Sequence, residues 1–136
     1  MSQRHWLTIK KWDTPVYNRQ ILGNNIFADE EFYKNLNLDI DWGDGRLEET
    51  EVQLKDFMLE WWKYIARTFD IESIVEDYEM FFEEEMDDDT LYSQLAFQNR
   101  SVLNQYFLVL ENLVAYTGPF DNKKLKEGYK LYISVY

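Results

Sequence analysis

Residues 50–69 read TEVQLKDFMLEWWKYIARTF, and their periodicity decides what the rest of the chain packs around. Leu54, Met58, Trp61 and Ile65 recur at spacings of four, three and four, and Phe57, Trp62 and Phe69 widen the stripe. That pattern is an amphipathic helix with one face on a core. Thr50-Glu51-Val52-Gln53 fits a capping box, in which the Thr hydroxyl accepts from the Gln53 amide while Gln53 reaches back. Trp61 and Trp62 both adjoin the inward stripe, which favours core packing over a binding platform. Adjacent helical residues diverge by about 100°, so one of the two indoles can reach the surface.

Downstream, residues 70–89 read DIESIVEDYEMFFEEEMDDD and hold eleven carboxylates with no Lys, Arg or His. They carry nearly all of the net charge of −12, because residues 1–69 sum to −3 and residues 90–136 to +2. The spacing predicts a second helix capped by Asp70, with Ile71, Ile74, Val75, Tyr78 and Phe82 docked on the core. Glu72, Glu76, Glu79 and Glu83 repeat at four, three and four on another face and stand in one row, with Asp77, Glu84 and Glu85 beside them. Asp87 to Asp89 have a local explanation, since carboxylates favour a helix start and Asp89 or Thr90 can cap the next helix.

That third helix is expected to run to about Tyr116, with Leu91, Leu95, Val102, Tyr106, Leu110 and Leu113 in phase and Asn99-Arg100-Ser101 as the place for a kink or split. Gly118-Pro119 is expected to end it, Gly as a left-handed cap. A basic-leaning connection, 120–127, leads to a terminal strand in which Tyr129, Leu131, Ile133 and Val135 alternate with polar residues.

Upstream, residues 5–12 alternate as well, with Leu7 and Ile9 on one face, and are expected to pair with the terminal strand. Asp13-Thr14-Pro15 breaks them; residues 16–21 return as a weaker strand, ended by Gly23-Asn24-Asn25. Residues 29–36 are expected to form a short helix capped by Asp29, with Glu30 and Glu31 in its first turn. Asp39, Asp41 and Asp44 invite comparison with a calcium loop, but positions 6 and 12 from Asp39 hold Asp44 and Thr50, where Gly and Glu are needed. The segment is read instead as a turn around Gly43 and Gly45.

The chain therefore belongs to the α+β class and is mainly helical. Three to four helices pack on a small antiparallel sheet formed by the N- and C-terminal strands, all in a single compact domain, 1–136. With 46% hydrophobic and 18% aromatic residues in 136, it can bury a core despite its charge. No cysteine is present, which excludes disulfides and thiolate metal sites. The N-terminal residues have no apolar run of signal-peptide or membrane-span length, so a cytoplasmic location is expected.

Catalytic constellations are missing. His5 stands alone and without cysteine, so it is read as an ordinary surface or strand-end histidine. No phosphate loop, dinucleotide fingerprint or nucleophile elbow occurs. The expectation is a non-enzyme that needs no cofactor and no metal. The net charge repels nucleic acid and speeds encounter with basic surfaces.

The acidic stretch carries the functional reading. Like charges at i,i+4 each cost about 0.2–0.5 kcal/mol, and a face serving solubility alone would intersperse lysines. If 76–89 were helical throughout, nine charges would lie along about 20 Å, one per ~2.2 Å, against one per ~1.7 Å of axis for duplex DNA. Such a surface competes with phosphate for a Lys/Arg-lined groove, with Met80 or Phe81 as an apolar anchor.

The expected partner-binding residues are Glu72, Glu76, Asp77, Glu79, Met80, Glu83, Glu84 and Glu85, and the expected partner is a basic protein, either a nuclease toxin or a CRISPR effector. The leading expectation is an immunity protein neutralising a bacterial nuclease toxin. The alternatives are a phage-encoded, nucleic-acid-mimicking inhibitor of a CRISPR or restriction nuclease, an adaptor, and a divalent-cation-binding domain.

Overall fold

Strands from opposite ends of the sequence form the middle of the sheet. The computed structural model describes residues 4–21, 26–40, 45–118 and 123–136, with side chains throughout except at 26–28, 92 and 94–103. In chain order the elements are β1 (His5–Lys11), β2 (Thr14–Ile21), α1 (Ile26–Asn35), β3 (Leu47–Val52), α2 (Leu54–Phe69), α3 (Ile71–Phe82), α4 (Asp88–Val114) and β4 (Tyr129–Val135). The strand order is β2-β1-β4-β3, with every neighbouring pair antiparallel.

The expected pairing of the terminal strands is present. Leu7 stands opposite Ile133 and Ile9 opposite Leu131, and all four side chains are fully buried. β2 pairs with the other side of β1 and is an edge, the place in a sheet where a proline such as Pro15 is tolerated. The register slips between Ile9 and Lys10 as they pass from Tyr17 to Pro15. Trp12 turns the hairpin with φ 55°, and its N–H donates to the Gly128 carbonyl at 2.7 Å. Gly128 itself has φ 85°, and a Cβ there would lie 2.8 Å from the Trp12 ring, so glycine is required.

α2 supplies the core's centre. Phe57, Trp61 and Tyr64 are fully buried, and Phe32 of α1 meets each of them edge-on at centroid distances of 5.9, 6.1 and 6.0 Å. The Trp61 indole N–H donates to the Tyr106 carbonyl on α4 at 3.0 Å, while Trp62 points outward. Tyr106, Val109 and Leu113 bury the matching face of α4, at spacings of three and four.

Several local expectations are corrected. The capping box does not form: Thr50, Glu51 and Val52 belong to β3, the Thr50 hydroxyl donates to the Glu48 carbonyl, and α2 starts behind Gln53 without a side-chain cap. β3 itself is an unexpected strand. Its buried ends, Leu47 and Val52, are an odd number of residues apart, because the register shifts between Leu47 and Thr50 and breaks the period of two.

Asp29 is not a cap. α1 starts at Ile26, and Asp29 is buried inside it. Glu30 and Glu31 are exposed along the same helix.

Asp70 makes no side-chain cap either; it adopts a left-handed conformation, φ 51° and ψ 51°, that closes α2 and opens α3. Asp87, two residues before the expected Asp89, caps α4 by accepting from the Thr90 N–H at 2.7 Å. α4 continues unbroken through 99–101 and ends at Val114; Gly118 is not left-handed, and its N–H donates to the Lys124 carbonyl. His5 is a buried histidine, 3% exposed, bonded to Tyr33, and not a surface one. The Gly23-Asn24-Asn25 stop, Asp41, Gly43 and Asp44 of the rejected calcium loop, and Pro119 lie outside the described residues, whereas Gly45 has the expected positive φ of 70°.

Candidate protein-binding surface

α3 is built from a short sequence whose ends both turn through the left-handed region. The Asp70 N–H donates to the Arg67 carbonyl, and the first α3 bond runs from the Ile74 N–H to the Asp70 carbonyl. At the other end the Glu83 N–H bonds the Glu79 carbonyl at 2.9 Å, with Glu83 at φ 53°. A glutamate has no side-chain bond to favour that conformation as Asn or Asp has, so the stop at Glu83 stores about 1 kcal/mol or more.

Ile71 and Ile74 pack against the core, and Val75 and Tyr78 are half-buried. No residue of α3 is fully buried. Phe82, expected on the docked face, is 53% exposed, and Met80 and Phe81 are 77% and 80% exposed. The three rings of Tyr78, Phe81 and Phe82 form a local cluster, with centroids 4.6 Å apart for Tyr78–Phe82 and 4.9 Å for Phe81–Phe82. Phe81 and Phe82 therefore join Met80 as apolar surface, which the sequence reading credited to only one of Met80 and Phe81. The signal was there: three consecutive apolar residues sweep about 200° of a helix and cannot share one inward stripe.

Every predicted acidic residue is exposed: Glu72, Glu76, Asp77 and Glu79 along α3, Glu83 at its end, and Glu84 and Glu85 in the turn that follows. Glu79, Glu83, Glu84 and Glu85 border one shallow surface depression. Ion pairs among the described residues include Lys10–Glu49, Lys63–Glu60 and Lys130–Glu51, and none of these three involves a carboxylate of this face. Also among the described residues, no group of three His, Asp or Glu side chains is arranged to hold a metal ion.

The charge row is shorter than a continuous helix over 76–89 would make it. α3 stops at Phe82, so its axis carries Glu72, Glu76, Asp77, Glu79 and Glu83. Those five span about 17 Å, one per ~3.3 Å. The density is close to that of a single nucleic-acid strand, about one per 3.4 Å, and about half that of a duplex. Glu84 and Glu85 add charge at the same end as Met80, Phe81 and Phe82.

Among the described residues no helix is long and apolar enough to cross a membrane. No protein-family model, no curated protein and no solved structure matches the chain.

Proposed function

We propose that the protein is an inhibitor that acts by binding: α3 docks on the basic, nucleic-acid-binding surface of a partner and masks it, most simply as an immunity protein against a bacterial nuclease toxin. One observation carries this reading. Met80, Phe81 and Phe82 stand exposed at the end of a helix whose exposed carboxylates take part in none of the ion pairs Lys10–Glu49, Lys63–Glu60 and Lys130–Glu51 seen among the described residues. A solvated face explains the acids but leaves three large apolar side chains in water, where burial of one Phe alone is worth about 1.5–3 kcal/mol. An interface explains both: the carboxylates steer and orient a Lys/Arg-lined groove, and the aromatics anchor it.

The strand-like charge spacing favours a groove that holds one phosphate strand. The experiment is affinity capture from the source cell's lysate at low and high salt, with mass spectrometry and a nuclease assay on what is retained. A basic nuclease is expected on the wild-type protein, released by salt. Reversal of Glu72, Glu76, Glu79 and Glu83 to Lys is expected to abolish capture, and Phe81→Ala to weaken it at least tenfold. Equal capture by the reversal variant, or a partner with no nuclease activity, overturns the proposal. A captured CRISPR or restriction nuclease would move the protein to the phage-inhibitor alternative.

A further inference from the structure

A groove of about 840 Å³ runs between α2 and α4. Ile65, Ile71, Leu91 and Phe107 form its apolar lining, and Trp62 and Leu108, 48% and 38% exposed, stand at its mouth. The Trp62 and Phe107 rings are in contact, with centroids 5.2 Å apart. Asp88 and Asp89, in the first turn of α4, and Glu111, further along it, supply the charge; no Lys or Arg is among the described lining residues.

We infer that this groove receives a basic amphipathic helix of a protein partner. Two packed helices with an apolar furrow between them present ridges and grooves into which a third helix fits, its i, i+3, i+4 and i+7 residues pointing down. The volume lies within the range of built binding clefts, about 300–1,000 Å³, enough for several large side chains. Charge complementarity decides the occupant: carboxylates border an apolar lining, so the helix that fits carries Leu, Ile or Phe on one face and Lys or Arg on its flanks. The exposed indole of Trp62 adds a face on which a flanking cation can rest. Ile71 is the one α3 residue among the described lining, and none of the α3 carboxylates is, so the inference does not depend on the partner proposed for them.

The test uses a fluorescein-labelled, 18-residue amphipathic Lys/Leu helix as the probe, followed by fluorescence anisotropy on the full chain. Saturable one-to-one binding is expected. Leu108→Lys, at a partly exposed position, is expected to weaken it at least tenfold, as is the pair Asp89→Asn with Glu111→Gln. Reversal of Glu72, Glu76 and Glu79 to Lys is expected to change it less than threefold. Circular dichroism checks that each variant is folded. Hydrogen exchange on the unmodified protein, which needs no variant, is expected to show peptide-dependent protection around 62–65 and 104–111.

Unchanged binding by Leu108→Lys, loss of binding on α3 reversal, or protection confined to α3 would overturn the inference. So would equal affinity for a Gln/Leu peptide without positive charge.

Discussion

His5 is the chain's single histidine, and so its only ordinary side chain with a charge change between pH 5 and 8. Its Nδ1 lies 2.7 Å from the Tyr33 hydroxyl, in a buried contact. The Tyr33 phenol is held protonated, its pKa raised first by burial and then by the Asp29 carboxylate. It can therefore donate to a neutral imidazole, and burial lowers the His5 pKa below 6.5. The unfolded chain binds the proton more readily than the folded one, so this group's contribution to stability is present above pH 6.5 and is lost as pH falls below that value and through the lower pKa of the folded state. The imidazole resonance is expected to titrate below pH 6.5 by NMR. The stability of His5→Gln relative to wild type is expected to improve between pH 7.5 and 5.5, and a His5 titration above 6.5 would contradict the assignment. None of this was legible in HWLTIKK, because Tyr33 comes from another element. The same holds for Glu60, buried on α2 and bonded by the Asn35 amide at 3.0 Å. Its polar identity hid an inward position, whereas the divergence of Trp61 from Trp62 followed from helical angle alone.

At the scale of elements, strong periodicity was read correctly and special backbone was not. α2, β1 and β4 came from apolar residues repeating at their own periods; Leu54, Phe57, Trp61 and Ile65 of α2, Leu7 and Ile9 of β1 and Leu131, Ile133 and Val135 of β4 are buried, whereas Trp62 is exposed and Met58, Phe69 and Tyr129 are half-buried. β3 was missed because its register shift removes the alternation, and the end of α3 because Glu83 occupies a left-handed stop with no sequence signature. The row of carboxylates was legible as spacing, and so, from helical angle, was the divergence of Met80, Phe81 and Phe82 from one inward stripe; the stop of α3 at Phe82 was not. The same spacing makes α3 less stable than its length allows. Glu76 faces Glu72 at i,i+4 and Glu79 at i,i+3, so Glu76→Lys turns two repulsive pairs into attractive ones, each worth about 0.2–0.5 kcal/mol in either direction. The variant is expected to be about 1 kcal/mol more stable in urea at low ionic strength, while partner capture falls. A variant that is destabilised, or that is stabilised without loss of capture, would separate the charge row from function.

For the whole molecule, the division of charge matters more than its total. Residues 70–89 contribute −11 of the −12, and the remaining 116 residues are close to neutral. Helical neighbours in α3 stand about one turn, ~5–6 Å, apart. That is inside the ~10 Å Debye length of 0.1 M salt and outside the ~3 Å of 1 M salt. Self-repulsion is therefore concentrated in α3 and the segment that joins it to α4, and is screened over that range, while the exposed Lys130–Glu51 pair that salt would weaken is worth little. The melting temperature is expected to rise with NaCl from 0.02 to 0.5 M. Reversal of Glu72, Glu76 and Glu79 to Lys adds two charges at each position, taking the net charge from −12 to −6, and is expected to remove most of that rise. Wild-type stability that falls with salt, or an equal slope in the reversal variant, would place the repulsion elsewhere. Because the same salt screens α3 from a basic partner, conditions that stabilise the free protein are expected to slow its association, and the two slopes are expected to disappear together in the reversal variant.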